Sequence, residues 1–167
     1  MYQKNILRKK YFSLRKKKYY EIDKDFFSPL INFIKSNFKK KDFKLALYHP
    51  TSFEINVLKL LENKYMINKS ILLPVIDENN RMNFFSWKKN RVLLVNKFGV
   101  LEPVKTSFKI PNFILVPLLA FDKCKYRLGY GKGYYDRYLN KYLKKFNNIL
   151  TVGVAFSFQK YHKLPID

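Results

Sequence analysis

A single cysteine, Cys124, is all the thiol this chain has, so an internal disulfide is excluded and a reducing compartment is expected. Only two histidines accompany it, which excludes a structural zinc site of the usual four-ligand kind. No apolar run reaches the length of a membrane span. The N-terminus, MYQKNILRKKYFSLRKKKYY, lacks the apolar stretch of a signal peptide and is poor in small residues, so the expected location is the cytoplasm. Acidic residues are scarce too, 12 against 34 Lys and Arg, giving a formal charge of +22. Such an excess suits a nucleic-acid partner or polyanionic small molecules. The lysines are spread along the chain, however, and Lys, Asn, Ile, Phe and Tyr are abundant together, as an AT-rich genome imposes. Scattered charge of this kind reads as a solvated surface.

What is present is a globular composition. Hydrophobic residues make up 47% of 167, enough for one domain, 1–167, with its own core. Lys4 to about Tyr19 has helical periodicity, with Leu7, Tyr11 and Leu14 on a narrow apolar stripe and Lys4, Arg8 and Arg15 aligned at its edge. Ser28-Pro29 reads as an N-cap followed by proline, opening a short helix that the basic run Lys39-Lys40-Lys41 closes. Phe43–Tyr48 reads as a strand. After it, Thr51 and Glu54 have the spacing of a capping box before a helix that buries Val57, Leu58 and Leu61. Glu54 is open to two readings, as that cap or as a carboxylate beyond a strand end that holds a ligand with donor groups. Ser70–Ile76, with Pro74 marking an edge or a strand end, and Met82–Trp87 form a strand pair around the turn cluster 77–80. Gly99, Glu102 and Pro103 mark a loop, and Ile149–Phe156 is a last strand. The expected fold is α/β: a layered, largely parallel sheet flanked by helices, a Rossmann-like arrangement with a glycine loop between strand and helix.

That loop lies in Phe113–Leu143, where a buried apolar run is followed by Gly129, Gly131 and Gly133 and then by an amphipathic helix. Strand, glycine loop and helix N-terminus together make an anion site from backbone, because alternate glycines permit positive φ and close approach to N–H groups. Arg127 and Lys132 add full charges, and Asp136 falls in the first turn of the helix. The spacing fits neither the Walker pattern nor the dinucleotide fingerprint. Asp136 can hold magnesium or merely suit the helix N-terminus, and Tyr134 and Tyr135 can face a ligand or the core.

Val116-Pro117-x-x-Ala120-Phe121-Asp122 followed by Arg127-Leu128-Gly129-Tyr130-Gly131-Lys132-Gly133-Tyr134-Tyr135-Asp136-Arg137 resembles the signature of the 5-formyltetrahydrofolate cyclo-ligases (methenyltetrahydrofolate synthetases). Lys4-x-x-Leu7-Arg8, Glu54-Ile55-Asn56, Leu73-Pro74-Val75, the stretch 96–103 and Val152-Gly153-Val154-Ala155-Phe156 with Gln159 are similar to further pieces of the family, in the same order. The resemblance implies that MgATP phosphorylates the formyl oxygen of 5-formyltetrahydrofolate and that ring closure yields 5,10-methenyltetrahydrofolate. It implies ATP contacts from Lys4, Arg8, Arg127, Leu128, Gly129, Tyr130, Gly131, Lys132, Gly133, Tyr134 and Tyr135. Folate would be bordered by His49, Glu54 and the stretch Tyr130, Gly131, Lys132, Gly133, Tyr134, with Glu54 on the pterin. Catalysis would rest on Lys132, Arg127 and Tyr134, and Asp136 would be a magnesium ligand. His49 stands where the family has an apolar residue. The sequence departs from the pattern in lacking glycine just before Arg127 and in having Pro117-Leu118 for a common Pro-Gly. It also ends at Asp167, short of a later magnesium-site Asp, so the C-terminal end reads as shortened. A monomer acting on small molecules, with no membrane and no nucleic-acid partner, is the expectation. The rival reading is a catalytically impaired folate- or RNA-binding protein on the same fold.

Overall fold

The computed structural model describes residues 2–23, 25–38 and 43–166; the run Lys39-Lys40-Lys41 and Asp167 lie outside them. The centre is a five-stranded sheet of β1 (Lys44–Ala46), β2 (Ser70–Ile76), β3 (Met82–Trp87), β6 (Phe113–Val116) and β9 (Leu150–Gly153), in the order β3-β2-β1-β6-β9. All neighbours pair parallel except β2 with β3, which form the hairpin expected around residues 77–80. Pro74 pairs with Phe84 of β3, beyond the three residues of β2 that pair with β1, so its missing N–H costs the ladder nothing there.

Alternation along the strands divides the core. Leu45, Ile71, Leu73, Phe113 and Leu115 face one side, packing under α2 (Ser28–Asn37) and the 3₁₀ turns of 57–66. Ala46, Leu72, Phe84, Ile114 and Val116 face the other, against Tyr138 and Tyr142 of α3 (Tyr134–Leu143). A third, smaller core joins Leu7 and Tyr11 of α1 (Tyr2–Lys18) to Leu119, Ala120 and Leu128 of a short hairpin, β7 (Ala120–Phe121) with β8 (Arg127–Leu128). Each fully buried side chain of this size contributes about 1.5–3 kcal/mol. No helix among the described residues is long and apolar enough to cross a membrane.

Three local expectations give way. Ser28 is the first helical residue and Phe27 the cap position, because a 3₁₀ turn at 25–27 already leads in, with Asp23 Oδ1 accepting from the N–H groups of Asp25 and Phe26. The segment after Asn56 is 3₁₀ (Val57–Glu62, then Lys64–Met66), so period three buries Val57 and Leu60 in place of Leu58 and Leu61, which pack only partly. Its cap is Asn56, whose Oδ1 accepts from the N–H of Leu58. The region expected as a loop around Gly99 is a second hairpin, β4 (Leu93–Val95) with β5 (Leu101–Pro103), closed by Gly99 at φ 72°.

Candidate functional site

β1 has β2 on one side and β6 on the other, so the connections leave it in opposite directions. A crevice opens beyond the carboxyl ends of strands at such a point. Here it is a cleft of about 290 Å³ lined by His49 and Glu54 past the end of β1, Pro117 past β6, the tip of the β4–β5 hairpin at Phe98, and the glycine loop 129–133.

The loop is held from outside by arginines. Arg8 Nε donates to the Gly129 carbonyl at 3.0 Å, and Arg137 Nη1 donates to the Lys132 carbonyl at 3.0 Å. Gly131 (φ 92°) and Gly133 (φ 68°) take the left-handed backbone that glycine alone adopts easily, and Gly133 is the cap position of α3. Gly129 does not; its role is room, since a Cβ there would come 2.9 Å from Arg127 Nη1. Among the described residues nothing accepts from the N–H groups of Gly131, Lys132 and Gly133, which leaves them and the helix N-terminus for an anion. Gly131→Ala is expected to cost about 1–3 kcal/mol in urea denaturation, because its Cβ would also meet Arg8 Cζ at 3.1 Å. Gly129→Ala, obstructed only by the flexible end of Arg127, should cost less.

Of the five charges beside the loop, Arg8, Arg127, Asp136 and Arg137 are already paired or bonded. Arg127 pairs with the Asp136 carboxylate and its guanidinium lies over the Tyr135 ring at 5.8 Å. Lys132 is exposed, with Nζ 5.9 Å from the Phe98 ring centroid and no carboxylate partner among the described residues. The Tyr135 hydroxyl is buried without a hydrogen-bond partner, and burial pushes its pKa upward.

Across the cleft, Glu54 is 7% exposed, and both of its carboxylate oxygens are engaged by the protein. Its Oε2 accepts from the Thr51 N–H at 2.9 Å, as a capping-box carboxylate would, though no helix begins there. Its Oε1 accepts from the Tyr130 hydroxyl at 2.6 Å. Burial raises the Glu54 carboxyl above the ordinary range, opposed by the hydrogen bonds of Tyr130 and Thr51 and the charge of Arg15. Burial also pushes the His49 imidazole below the usual histidine range, so it faces the cleft neutral at pH 7.

Thus the cleft gathers His49, Glu54, Arg127, Gly129 to Gly133, Tyr134, Tyr135 and Asp136. Leu128 turns its side chain into the small core with Leu7 and Tyr11. Arg8 backs the loop, and Lys4 lies one turn earlier on α1; neither lines the cleft itself. Sequence reasoning gave no role to Arg137 or Phe98, and it placed Arg15 at the edge of the apolar stripe of α1, where the structure leaves it 1% exposed.

The sequence profile of the 5-formyltetrahydrofolate cyclo-ligase family matches residues 23–167. The chain belongs to this family. It is similar to the 5-formyltetrahydrofolate cyclo-ligase of Haemophilus influenzae, 28% identical over 130 residues, which are 74% of this chain and 68% of that protein. Among solved structures it is similar to 5,10-methenyltetrahydrofolate synthetase of Aquifex aeolicus, at 37% identity and a TM-score of 0.74 over 98% of this chain and 83% of that one. The Mycoplasma pneumoniae 5,10-methenyltetrahydrofolate synthetase aligns at 26% identity and a TM-score of 0.69, over 98% and 91%. Membership places the chain among ligases, and its fold is the α/β fold of these synthetases.

Two departures from the cyclo-ligase pattern have visible substitutes. Where glycine is missing before Arg127, Lys125 takes the positive φ, 67°. The Asp122 carboxylate supports that turn by accepting from the N–H groups of Cys124 and Tyr126. A third bond, from the Leu164 N–H, ties down the C-terminal segment, and these donors hold the Asp122 carboxyl below its usual value, Leu164 foremost. Leu118, standing for a common glycine, fills the space over Gly153, where a Cβ would meet Leu118 Cδ2 at 2.8 Å.

Proposed function

We propose that this cyclo-ligase-family protein converts 5-formyltetrahydrofolate and ATP to 5,10-methenyltetrahydrofolate, ADP and phosphate. The γ-phosphoryl group passes to the formyl oxygen, N10 closes the ring on the activated carbon, and phosphate leaves. The observation that carries the reading is a cleft with N–H groups that have no acceptor and a Lys132 that has no ion-pair partner among the described residues on one wall, and a buried carboxylate on the other. The first suits phosphate, and the second suits the N–H donors of a pterin. The protein's work is alignment and charge neutralisation, in keeping with phosphoryl transfer, where positioning and electrostatics supply most of the acceleration. Lys132 and Arg127 offset charge on the transferring group, Tyr134 walls the cleft beside them, and Lys4 and Arg8 support the nucleotide from α1.

Magnesium fits this set in one way. Among the described residues no cluster of three His, Cys, Asp or Glu stands ready to cage an ion. Magnesium is often held by one or two carboxylates with substrate phosphates, and Asp136, at the mouth of the loop, supplies one. Bound there, it would neutralise phosphate charge during transfer. The protein is proposed to act in the cytoplasm and as a monomer.

Isothermal titration separates this reading from its rival. 5-Formyltetrahydrofolate should bind without nucleotide, and MgATP should convert the binding signal into sustained turnover heat. Tight RNA binding with a steep salt slope and no response to either small molecule would overturn it.

A further inference from the structure

α1 carries a charge in a place where charge is costly. Arg15 is 1% exposed, cannot lose its proton, and has no carboxylate in direct contact among the described residues. Its Nη1 donates to the Leu118 carbonyl at 3.3 Å, its Nη2 to the Tyr130 hydroxyl at 2.5 Å, and its Nε has no partner. An apolar side chain of similar length would fill the same space without desolvating a guanidinium. Packing alone therefore does not account for arginine here.

The counterpart is one hydroxyl away. Tyr130 has one phenolic proton. Since its oxygen accepts from Arg15, that proton goes to Glu54 Oε1, at 2.6 Å. The other carboxylate oxygen takes the Thr51 N–H at 2.9 Å and the Thr51 hydroxyl at 3.3 Å. Both oxygens of Glu54 are thus fixed, one through α1 and the glycine loop, the other through the turn after β1. We propose that Arg15 is a positioning residue for the folate subsite: through the Tyr130 hydroxyl it sets the orientation and charge state of Glu54. Hydrogen bonds in such a chain polarise one another in a low-dielectric interior, so the cation acts on a carboxylate that it does not touch.

The other groups around Glu54 cannot take this part. Tyr48, from the end of β1, is buried and gives its hydroxyl to the Ile55 carbonyl. Tyr135, from α3, is a neutral phenol, and His49 in the adjoining segment is held neutral by burial. Arg15 is the cation whose charge bears on Glu54. Because Tyr130 stands between Gly129 and Gly131, the same link ties the state of Glu54 to the position of the phosphate loop.

This inference rests on Glu54 being the pterin carboxylate, but its central test needs no turnover. In protein labelled with ¹³C at glutamate carboxyls, the signal lost in Glu54→Gln identifies Glu54, and its titration gives the midpoint. Arg15→Met should move that midpoint up by about one pH unit or more. Arg15→Lys should restore most of the shift, and Tyr130→Phe, which keeps the ring packing, should shift it in the same upward direction. The acidic limb of kcat/KM for 5-formyltetrahydrofolate should move in step. An unmoved midpoint in Arg15→Met, with only a lower Tm, would overturn the proposal. If Arg15→Met does not fold, an unmoved midpoint in Tyr130→Phe would do so. A wild-type protein that fails to turn over 5-formyltetrahydrofolate would count against the proposed reaction, and the carboxyl titration would still decide the role of Arg15.

Discussion

Lys132→Ala is expected to lower kcat by about 100- to 1000-fold and to leave the melting temperature nearly unchanged. The side chain is exposed, lies with its Nζ 5.9 Å from the Phe98 ring centroid, and forms no ion pair among the described residues. It stands in a loop whose neighbouring N–H groups are also without acceptors among the described residues. A preorganised cation facing charge that develops on a transferring phosphoryl group supplies stabilisation of this size. Arg127→Ala is a less clean experiment. That guanidinium is already bonded to Asp136, so its removal frees a carboxylate beside the proposed phosphate site as well as deleting a cation. A single-turnover measurement on Lys132→Ala, beside a thermal melt, separates a catalytic role from a structural one. A drop in Tm of many degrees would make the lysine part of the scaffold.

The second large effect is expected at Glu54. Glu54→Gln should raise KM for 5-formyltetrahydrofolate by about 10- to 100-fold, the worth of a hydrogen bond to a charged acceptor in a dry site, with a smaller change in kcat. The effect on stability runs the other way with pH. Burial puts the native carboxyl above its unfolded value, so at low pH both states are protonated and Glu54 contributes nothing. As the pH rises from the ordinary carboxylate range, about 4, through the raised native value, ionisation costs the native state stability. The Tm of Glu54→Gln should therefore gain on that of the wild type as pH rises. Melts at several pH values check this, and a gap that moves in the opposite direction would show that Glu54 is a stabilising ion.

How much of this could be read from the residues follows physical lines. β2, β3 and α1 were legible because their apolar patterns are long and regular. The glycine loop was legible as a turn between strand and helix, and suggested an anion site, because three glycines, two cations and a following helix converge there. Its ligands came from the resemblance to the family and not from the loop alone. The β4–β5 hairpin was hidden because its strands are three residues each, half-buried or open at every position but Pro103, in a pattern that carries no period. The 3₁₀ turns after Asn56 were taken for an α-helix because a five-residue window does not distinguish period three from 3.6. The burial of Arg15 was hidden for a different reason. Helical spacing put it correctly at the edge of the apolar stripe, but only tertiary packing shows that Tyr130 and Leu118 close over that edge. For Glu54 the local sequence suggests the bond to the Thr51 N–H, whereas the bond from Tyr130, 76 residues away, comes from tertiary packing alone.

The most direct measurement is the reaction itself. Purified protein is mixed with 5-formyltetrahydrofolate and MgATP, and the absorbance of the methenyl product is followed together with ADP. The account predicts growth of the product with one ADP formed for each, growth that stops when either substrate is left out. Folded protein that binds both substrates yet gives no methenyl absorbance, or that hydrolyses ATP at the same rate without the folate, would contradict it.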